Sequence, residues 1–332
     1  MSRRKSGGSK TIIALLLIIG AAFIYFYRDR LFRKPEPGPG PVPVEGKLVV
    51  RFLNIGQGDS EVIQLPTGQT IVIDSGDRGS STVDMLKSYG IQEIDLLIAT
   101  HPHADHIGEM RDIMRAFKVK EFWDAGVPHT TKTYLDLLEE RKSRNIKFVK
   151  PRRGETREIG DARLEVLNPP DNPSDDNLNN ASIVVRLTFG DTRFLFTGDA
   201  EIEAWEQMID SVGDRLKADL LKAAHHGSSN GTNERIVNAV QPSIVTISCA
   251  PGNDYHHPHP RVVSLLKQRS QSIRLHRTDL EGTITAVSDG KKISVTSEQE
   301  VASNRRYLTG DEVAGKQQGE TSKRKAAGRG SD

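Results

Sequence analysis

Cysteine is almost missing from this chain. Its one thiol, Cys249, cannot close an internal disulfide, and no C-x-x-C pair is available as a metal knuckle. Cys249 lies in the apolar stretch VTISCA and reads as a small core residue. The scarcity of thiols suits a location outside the cytoplasm. A basic surplus is missing too. The 332 residues carry a net charge of only +2, and the balance is uneven. Residues 1–34 hold +7 and residues 303–332 hold +3, which leaves −8 on residues 35–302. Proteins that coat nucleic acid usually show a basic face, and the composition of the central region supports none. No short repeat is visible. Long apolar runs are absent after the first thirty residues.

The exception is Thr11 to Tyr27, TIIALLLIIGAAFIYFY, seventeen residues without a charge. That is the short end of the roughly 17–25 residues that span a bilayer. Basic residues flank it, and Tyr25 and Tyr27 sit at one border, as interfacial aromatics do. A cleavable signal peptide is the rival reading. Gly20-Ala21-Ala22 offers small residues for cleavage, but the apolar run continues through Phe23 and Ile24. Residues 1–34 are therefore expected to be a signal anchor with a transmembrane helix at 11–27. The expected localisation is the cell membrane, single-pass, with the folded part extracytoplasmic. Residues 35–47, PEPGPGPVPVEGK, read as an extended Pro/Gly linker. Residues 298–332 read as a disordered basic tail.

The stretch Ile94–Met110, IDLLIATHPHADHIGEM, carries the chemistry. Leu96-Leu97-Ile98-Ala99 has the length and apolarity of a buried strand. His101, His103, Asp105 and His106 follow within six residues, and Pro102 breaks regular structure between the first two. Four potential metal ligands thus sit on a loop at the C-terminal end of a strand, where open α/β sheets place their sites. Histidines two apart in an extended loop can share one cation, and Asp105 with His106 can reach a second. Imidazole and carboxylate donors suit zinc, manganese or iron. Elsewhere the pattern gives hairpins across Pro66–Gln69 and across Gly190-Asp191, followed each time by strand–helix units. That pattern alone says mixed α and β.

The motif THPHADHIG resembles the signature of the metallo-β-lactamase superfamily. Within it, the chain resembles the hydrolase domain of ComEC-type competence proteins and their free-standing relatives more closely than the superfamily at large. Asn54–Ser60 (NIGQGDS), Ile73-Asp74-Ser75-Gly76, Phe196-Thr197-Gly198-Asp199, Ala224–Ser228 (AHHGS), His257-Pro258-His259-Pro260 and Arg277-Thr278-Asp279 with Gly282 follow in the family's order. The resemblance implies an α+β fold, a four-layer αββα sandwich over residues 48–297.

The resemblance also implies a ligand set. His101 and His103 hold the first metal, Asp105 and His106 the second, and Asp199 bridges them. Of the late pair, His226 matches the ligand position and His225 stands behind it or contacts substrate, an assignment that can be reversed. Asp74 is expected to orient the metal loop through hydrogen bonds. Many superfamily members supply a further histidine to the first metal from the segment that here reads Asn179-Asn180-Ala181-Ser182. Asn180 or substrate is expected to complete that position. Two divalent ions, Zn or Mn, are implied, one held less tightly. Asp105 and His225 are the expected catalytic residues. His257 is expected at the mouth, with a polar surface loop as its alternative. Arg277-Thr278-Asp279 reads first as a turn stapled by its own side chains.

The function implied is a membrane-tethered, metal-dependent phosphodiesterase or nuclease that uses a metal-bound hydroxide on a phosphodiester, with DNA as a candidate substrate in processing or uptake. The alternatives are a hydrolase of another small ester (phosphorylcholine ester, lactone or β-lactam) and a non-catalytic binding module. The pore-forming helices of a full competence channel are not in this sequence.

Overall fold

The computed structural model describes residues 46–316, except residue 175. The expected anchor and almost all of the linker lie outside the described residues. Among the described residues no helix is long and apolar enough to cross a membrane.

The strands run β1 (Leu48–Phe52), β2 (Glu61–Gln64), β3 (Thr70–Ile73), β4 (Glu93–Ala99), β5 (Lys118–Asp124) and β6 (Lys147–Val149), then β7 (Thr156–Ile159), β8 (Ala162–Asn168), β9 (Val184–Phe189), β10 (Thr192–Phe196), β11 (Leu220–Lys222), β12 (Ile244–Ile247), β13 (Arg274–Arg277), β14 (Ile284–Ser288) and β15 (Ile293–Ser297). They form two sheets, ordered β15-β14-β1-β2-β3-β4-β5-β6 and β13-β12-β11-β10-β9-β8-β7. β14 leaves the second half and pairs antiparallel with β1, Val50 opposite Ala286. The last two strands among the described residues thus close the first sheet.

Most strands bury both faces, so apolar residues of both parities are needed. In β4, Leu96 and Ile98 face the cluster between the sheets, while Leu97 and Ala99 face the cluster outside. The inner cluster takes Phe52, Ile73, Leu187, Phe194 and Phe196 from the two sheets. The outer cluster of the first sheet is covered by helices α1 (Thr82–Ser88), α3 (Met110–Ala116) and α4 (Lys132–Ser143), through residues such as Leu86, Ile113 and Leu137. Helices α5 (Ile202–Val212), α6 (Glu234–Val240) and α7 (Pro260–Gln268) cover the second sheet with Trp205, Val237 and Leu266. Helix, sheet, sheet, helix is the four-layer αββα arrangement expected from the resemblance.

The expectation of disorder from residue 298 onward is corrected for residues 298–316. Ser303–Tyr307 forms a 3₁₀ turn and residues 310–316 a helix, with Val313 buried. The cause is a buried cation. Arg277 is fully buried in β13, and its guanidinium donates to the carbonyls of Arg306 and Leu308 as well as to Asp279. Arg306 in turn donates to buried Glu281 at 2.6 Å. The segment contributes backbone carbonyls, which composition does not reveal. The Arg277–Asp279 contacts, at 2.7 and 3.0 Å, are also the side-chain staple read from the sequence.

Candidate metal centre

The apolar C-terminal half of β4 is paired on both sides, with β3 over Leu96–Ile98 and with β5 through Ala99, which leaves that end rigid. His101 lies just past it and is buried. His103 is extended and starts the short helix α2 (Ala104–Ile107), whose first bonds run from His106 and Ile107 nitrogens to the His103 carbonyl. This single turn sends Asp105 and His106 toward the same interior as the two histidines. Asp74, at the end of β3, holds the loop from behind. Its carboxylate accepts from the Thr100 backbone at 2.8 Å, the Thr100 hydroxyl at 2.6 Å and His106 Nδ1 at 2.7 Å. That fixes the tautomer so that His106 Nε2 points inward, as carboxylates behind metal-bound histidines do. Gly58 backs the loop on another side. Its φ is +117°, and a Cβ there would lie 2.1 Å from the Asp105 carbonyl, so only glycine fits.

The second sheet brings its residues from two strand ends. Asp199 follows β10, and its backbone nitrogen donates to Ser182 Oγ at 3.2 Å. His225 and His226 follow β11 in consecutive left-handed conformations, φ 52° and 54°. Two such non-glycine residues in succession store strain of order 1–3 kcal/mol each. The strained turn aims both rings at Asp199. His226 Nδ1 donates to the Ser248 carbonyl at 3.0 Å with Asp59 Oδ1 at 3.2 Å, so its Nε2 faces the centre.

His106 and His226 each approach a carboxylate oxygen from either half, and Asp105, His106 and His226 form one donor group. His106 Nε2 lies 3.3 Å from Asp199 Oδ2 and 3.8 Å from Asp105 Oδ2, and His226 Nε2 lies 3.5 and 3.3 Å from the same two oxygens. Donors about 2.0–2.2 Å from one cation, arranged tetrahedrally, have separations of this size. His106 Nε2, His226 Nε2 and Asp199 Oδ1 are buried without a hydrogen-bond partner. Buried polar atoms are ordinarily paired, so these residues fit a divalent cation. His101 Nε2 is 3.0 Å from His103 Nδ1 and 3.9 Å from Asp199 Oδ2, a second convergence that shares the Asp199 oxygen.

The electrostatics agree with this chemistry. Burial alone would lower His106, but the Asp199, Asp105 and Asp74 carboxylates outweigh it and hold the imidazole well above its ordinary value. His226 is likewise pushed up to about 10, burial again being overcome by Asp199 and Asp59. Protons thus sit where a cation would, and cation binding must displace them. His101 is held well below its ordinary value by burial and by the charge on His106.

The structure therefore brings together His101, His103, Asp105, His106, Asp199 and His226, with Asp74 behind them. Within the late pair, His226 Nε2 lies against both Asp105 and Asp199, at 3.3 and 3.5 Å. His225 Nε2 is 3.8 Å from Asp199 Oδ2. His257 is buried, its ring 5.5 Å from that of His225. Burial and the neighbouring His226 and His225 push it down to about 3. Asn180 sits at the start of α5, where its side-chain oxygen accepts from the Glu201 nitrogen and its amide donates to Glu203. Sequence reasoning gave no role to Asp59 or Lys222. Both are buried, form an ion pair with one another, and stand behind His226. Their signal was a single charge inside each of two otherwise uncharged stretches, NIGQGDS and LLKAA, since buried charges must pair.

Residues 53–250 match the family described as the metallo-beta-lactamase superfamily. The chain is similar to ComE operon protein 3 of Bacillus subtilis (strain 168), 33% identical over 254 residues that cover 71% of this chain and 32% of that protein. It is also similar to competence protein ComA of Neisseria gonorrhoeae, 26% identical over 249 residues, 74% of this chain and 33% of that one. The chain thus spans about a third of the length of these curated relatives. Among solved structures it is similar to the metallo-beta-lactamase fold protein YhfI from Bacillus subtilis, with a TM-score of 0.49 and 15% identity over 73% of this chain and 99% of that one.

Proposed function

We propose a specific chemistry for this chain, which belongs to the metallo-beta-lactamase superfamily as a metal-dependent hydrolase: it cleaves phosphodiesters, DNA among them, while tethered to the outer face of a membrane. One observation carries the reading. Two sets of buried donors share a single oxygen, Asp199 Oδ2, which His106, His226 and His101 approach to 3.3, 3.5 and 3.9 Å. Divalent cations bound there supply Lewis acidity and bring a water molecule's pKa toward neutrality, and a pair of them suits both the attacking and the leaving oxygen of a phosphodiester.

The chain's own residues do the rest. Asp74 and the Ser248 carbonyl fix the tautomers of His106 and His226, so both present Nε2 inward. Burial of His101, His106, Asp199 and His226 excludes bulk water and strengthens each interaction there. Asp105, about a third exposed at its side chain, marks the side open to substrate. His257 is neutral near pH 7 and has an unpartnered Nδ1. It offers a ring N–H to a phosphoryl oxygen arriving from that side. Similarity to competence proteins supports DNA as the phosphodiester, and the uncharged run at 11–27 supports the tether.

The acidic balance of residues 35–302 favours a second reading, a small ester as substrate. The experiment uses full-length protein in detergent with Mn²⁺ or Zn²⁺. Linear single- and double-stranded DNA, bis-p-nitrophenyl phosphate and nitrocefin are compared, with Asp105→Ala and His106→Ala as controls. Metal-dependent DNA cleavage that both controls lose is the expected result. Turnover of the phosphodiester dye without DNA cleavage moves the assignment to a small phosphoester. Turnover of nitrocefin alone, or of nothing by protein shown to hold metal, overturns the phosphodiesterase reading.

A further inference from the structure

The large hydrophobic side chains exposed among the described residues are Leu135, Ile202 and Tyr255, and Tyr255 is the one aromatic of the three. It is 65% exposed. Its ring nevertheless stacks on that of His257 at 5.8 Å, with the planes 22° apart. His257 is buried, and its ring also meets those of His225 at 5.5 Å and His226 at 6.2 Å. Two ring-to-ring steps therefore lead from solvent at Tyr255 to His226, whose Nε2 is 3.5 Å from Asp199 Oδ2.

The loop that carries this ring is tied down. Asn253 Oδ1 accepts from the backbone nitrogens of Tyr255 at 3.2 Å and His257 at 2.9 Å. The Asn253 amide donates to the carbonyls of Ala250 at 2.8 Å and His257 at 2.7 Å. The segment 303–316 adds a second hold. Asp311 pairs with His256 at 2.5 Å, and the Gly310 nitrogen donates to the Pro258 carbonyl at 3.3 Å. A Cβ at Gly310 would lie 2.4 Å from the His257 carbonyl, so the segment rests directly on the loop's backbone. Tyr255 thus has a fixed backbone and an open ring. A tyrosine has only two χ angles, so covering it with a ligand costs little entropy.

An open aromatic ring at the mouth of a hydrolytic centre fits a flat, π-bearing group. Stacking needs no basic surface, which suits a region with a balance of −8 over residues 35–302. Bases in a duplex already stack on their neighbours, whereas those of a single strand are free to stack on a side chain. We propose that Tyr255 is a stacking platform for an unpaired nucleobase next to the phosphodiester held at the centre, which makes single-stranded nucleic acid the preferred substrate. The inference rests on the reading of the chain as a phosphodiesterase. Its readout is binding without turnover, so failure of hydrolysis and failure of this assignment are distinguishable.

The test follows fluorescence anisotropy of labelled DNA on full-length protein in detergent with Mn²⁺, in an Asp105→Ala background that leaves the strand uncut. Three probes of equal length are compared: oligothymidylate, an abasic strand of the same charge, and a duplex. With Tyr255 present, oligothymidylate is expected to bind about 5–100-fold more tightly than the abasic strand, the range for one stacked base. Tyr255→Ala is expected to abolish that difference and to leave affinity for the abasic strand and the duplex unchanged. Tyr255→Phe keeps the ring and is expected to retain the difference. Thermal unfolding is expected to be the same in both variants, since the side chain is exposed. The same discrimination between the two strands with and without the ring overturns the proposal. So does equal weakening of all three probes by Tyr255→Ala. A protein with Tyr255 intact that binds both strands alike, or neither, overturns it as well.

Discussion

The two halves of the centre are built differently. The first sheet delivers His101, His103, Asp105 and His106 from one hexapeptide behind β4, with Asp74 of the neighbouring strand behind it. The second sheet delivers Asp199 from the end of β10 and His225–His226 from the end of the adjacent parallel strand β11. One half is a local motif on a rigid strand end. The other is a meeting of strand ends, held by strained backbone and by a buried ion pair. The difference teaches that a donor set can be continuous in sequence on one side and assembled by topology on the other. The two halves touch where Gly198 packs on Thr100 and the Ile183 nitrogen donates to the Thr100 carbonyl at 2.9 Å.

The comparison is broken most severely at the shared oxygen. Asp199→Ala is expected to lose both cations and about 10³-fold or more of the hydrolysis, since several kcal/mol of charge stabilisation go with them. Asp105→Ala is expected to lose only one cation. Metal analysis after dialysis separates the two, and equal loss in both variants would show that the halves are not distinct. Next in size is the buried ion pair under the second half. Lys222→Met leaves Asp59 charged and buried, and is expected to lower stability by about 3–5 kcal/mol in denaturant unfolding. A loss below about 1 kcal/mol would mean that Asp59 sheds its charge when the lysine is gone.

The seam between the halves comes third. Gly198 has φ +49°, and a Cβ there would lie 2.8 Å from Thr100 Cβ. Gly198→Ala is expected to cost about 1–3 kcal/mol and to weaken metal binding on both sides. An effect confined to one cation would place the seam's influence in a single half. The smallest effect is far from both. Arg235 and Glu206 form an exposed pair at 2.9 Å on the helices outside the second sheet. Arg235→Ala is expected to change stability by less than about 0.5 kcal/mol and metal binding not at all.

The legibility of each half follows from this construction. His101 to His106 could be read as a metal loop because an apolar strand and four donors stand next to one another in sequence. Asp199 and His226 carried meaning only beside that loop. Asp74 could be assigned as the loop's anchor by resemblance, and its three short contacts show how it acts. Asp59 and Lys222 were not legible. Each is a charged residue whose partner is remote in sequence; the Lys222–Asp59 pair spans 163 positions. The segment 298–316 was misread for a related reason. Its role is to supply carbonyls to Arg277, and a carbonyl is common to every residue.

The sequence by itself determined the alternation of strands and helices, the double-sided apolar strands, the ligand hexapeptide and the uncharged run at 11–27. These depend on neighbours within a few positions, where side-chain type and spacing suffice. Tertiary structure alone decided that β14 and β15 close the first sheet and that His226 Nε2 lies within 3.5 Å of both Asp105 and Asp199 while His225 Nε2 is 3.8 Å from Asp199. It also decided that Asp59 with Lys222 sits behind His226 and that Arg306 and Leu308 cover Arg277. Each of these depends on which buried charge or ring nitrogen finds a partner across the fold, and burial in a low-dielectric interior is what makes that partner obligatory.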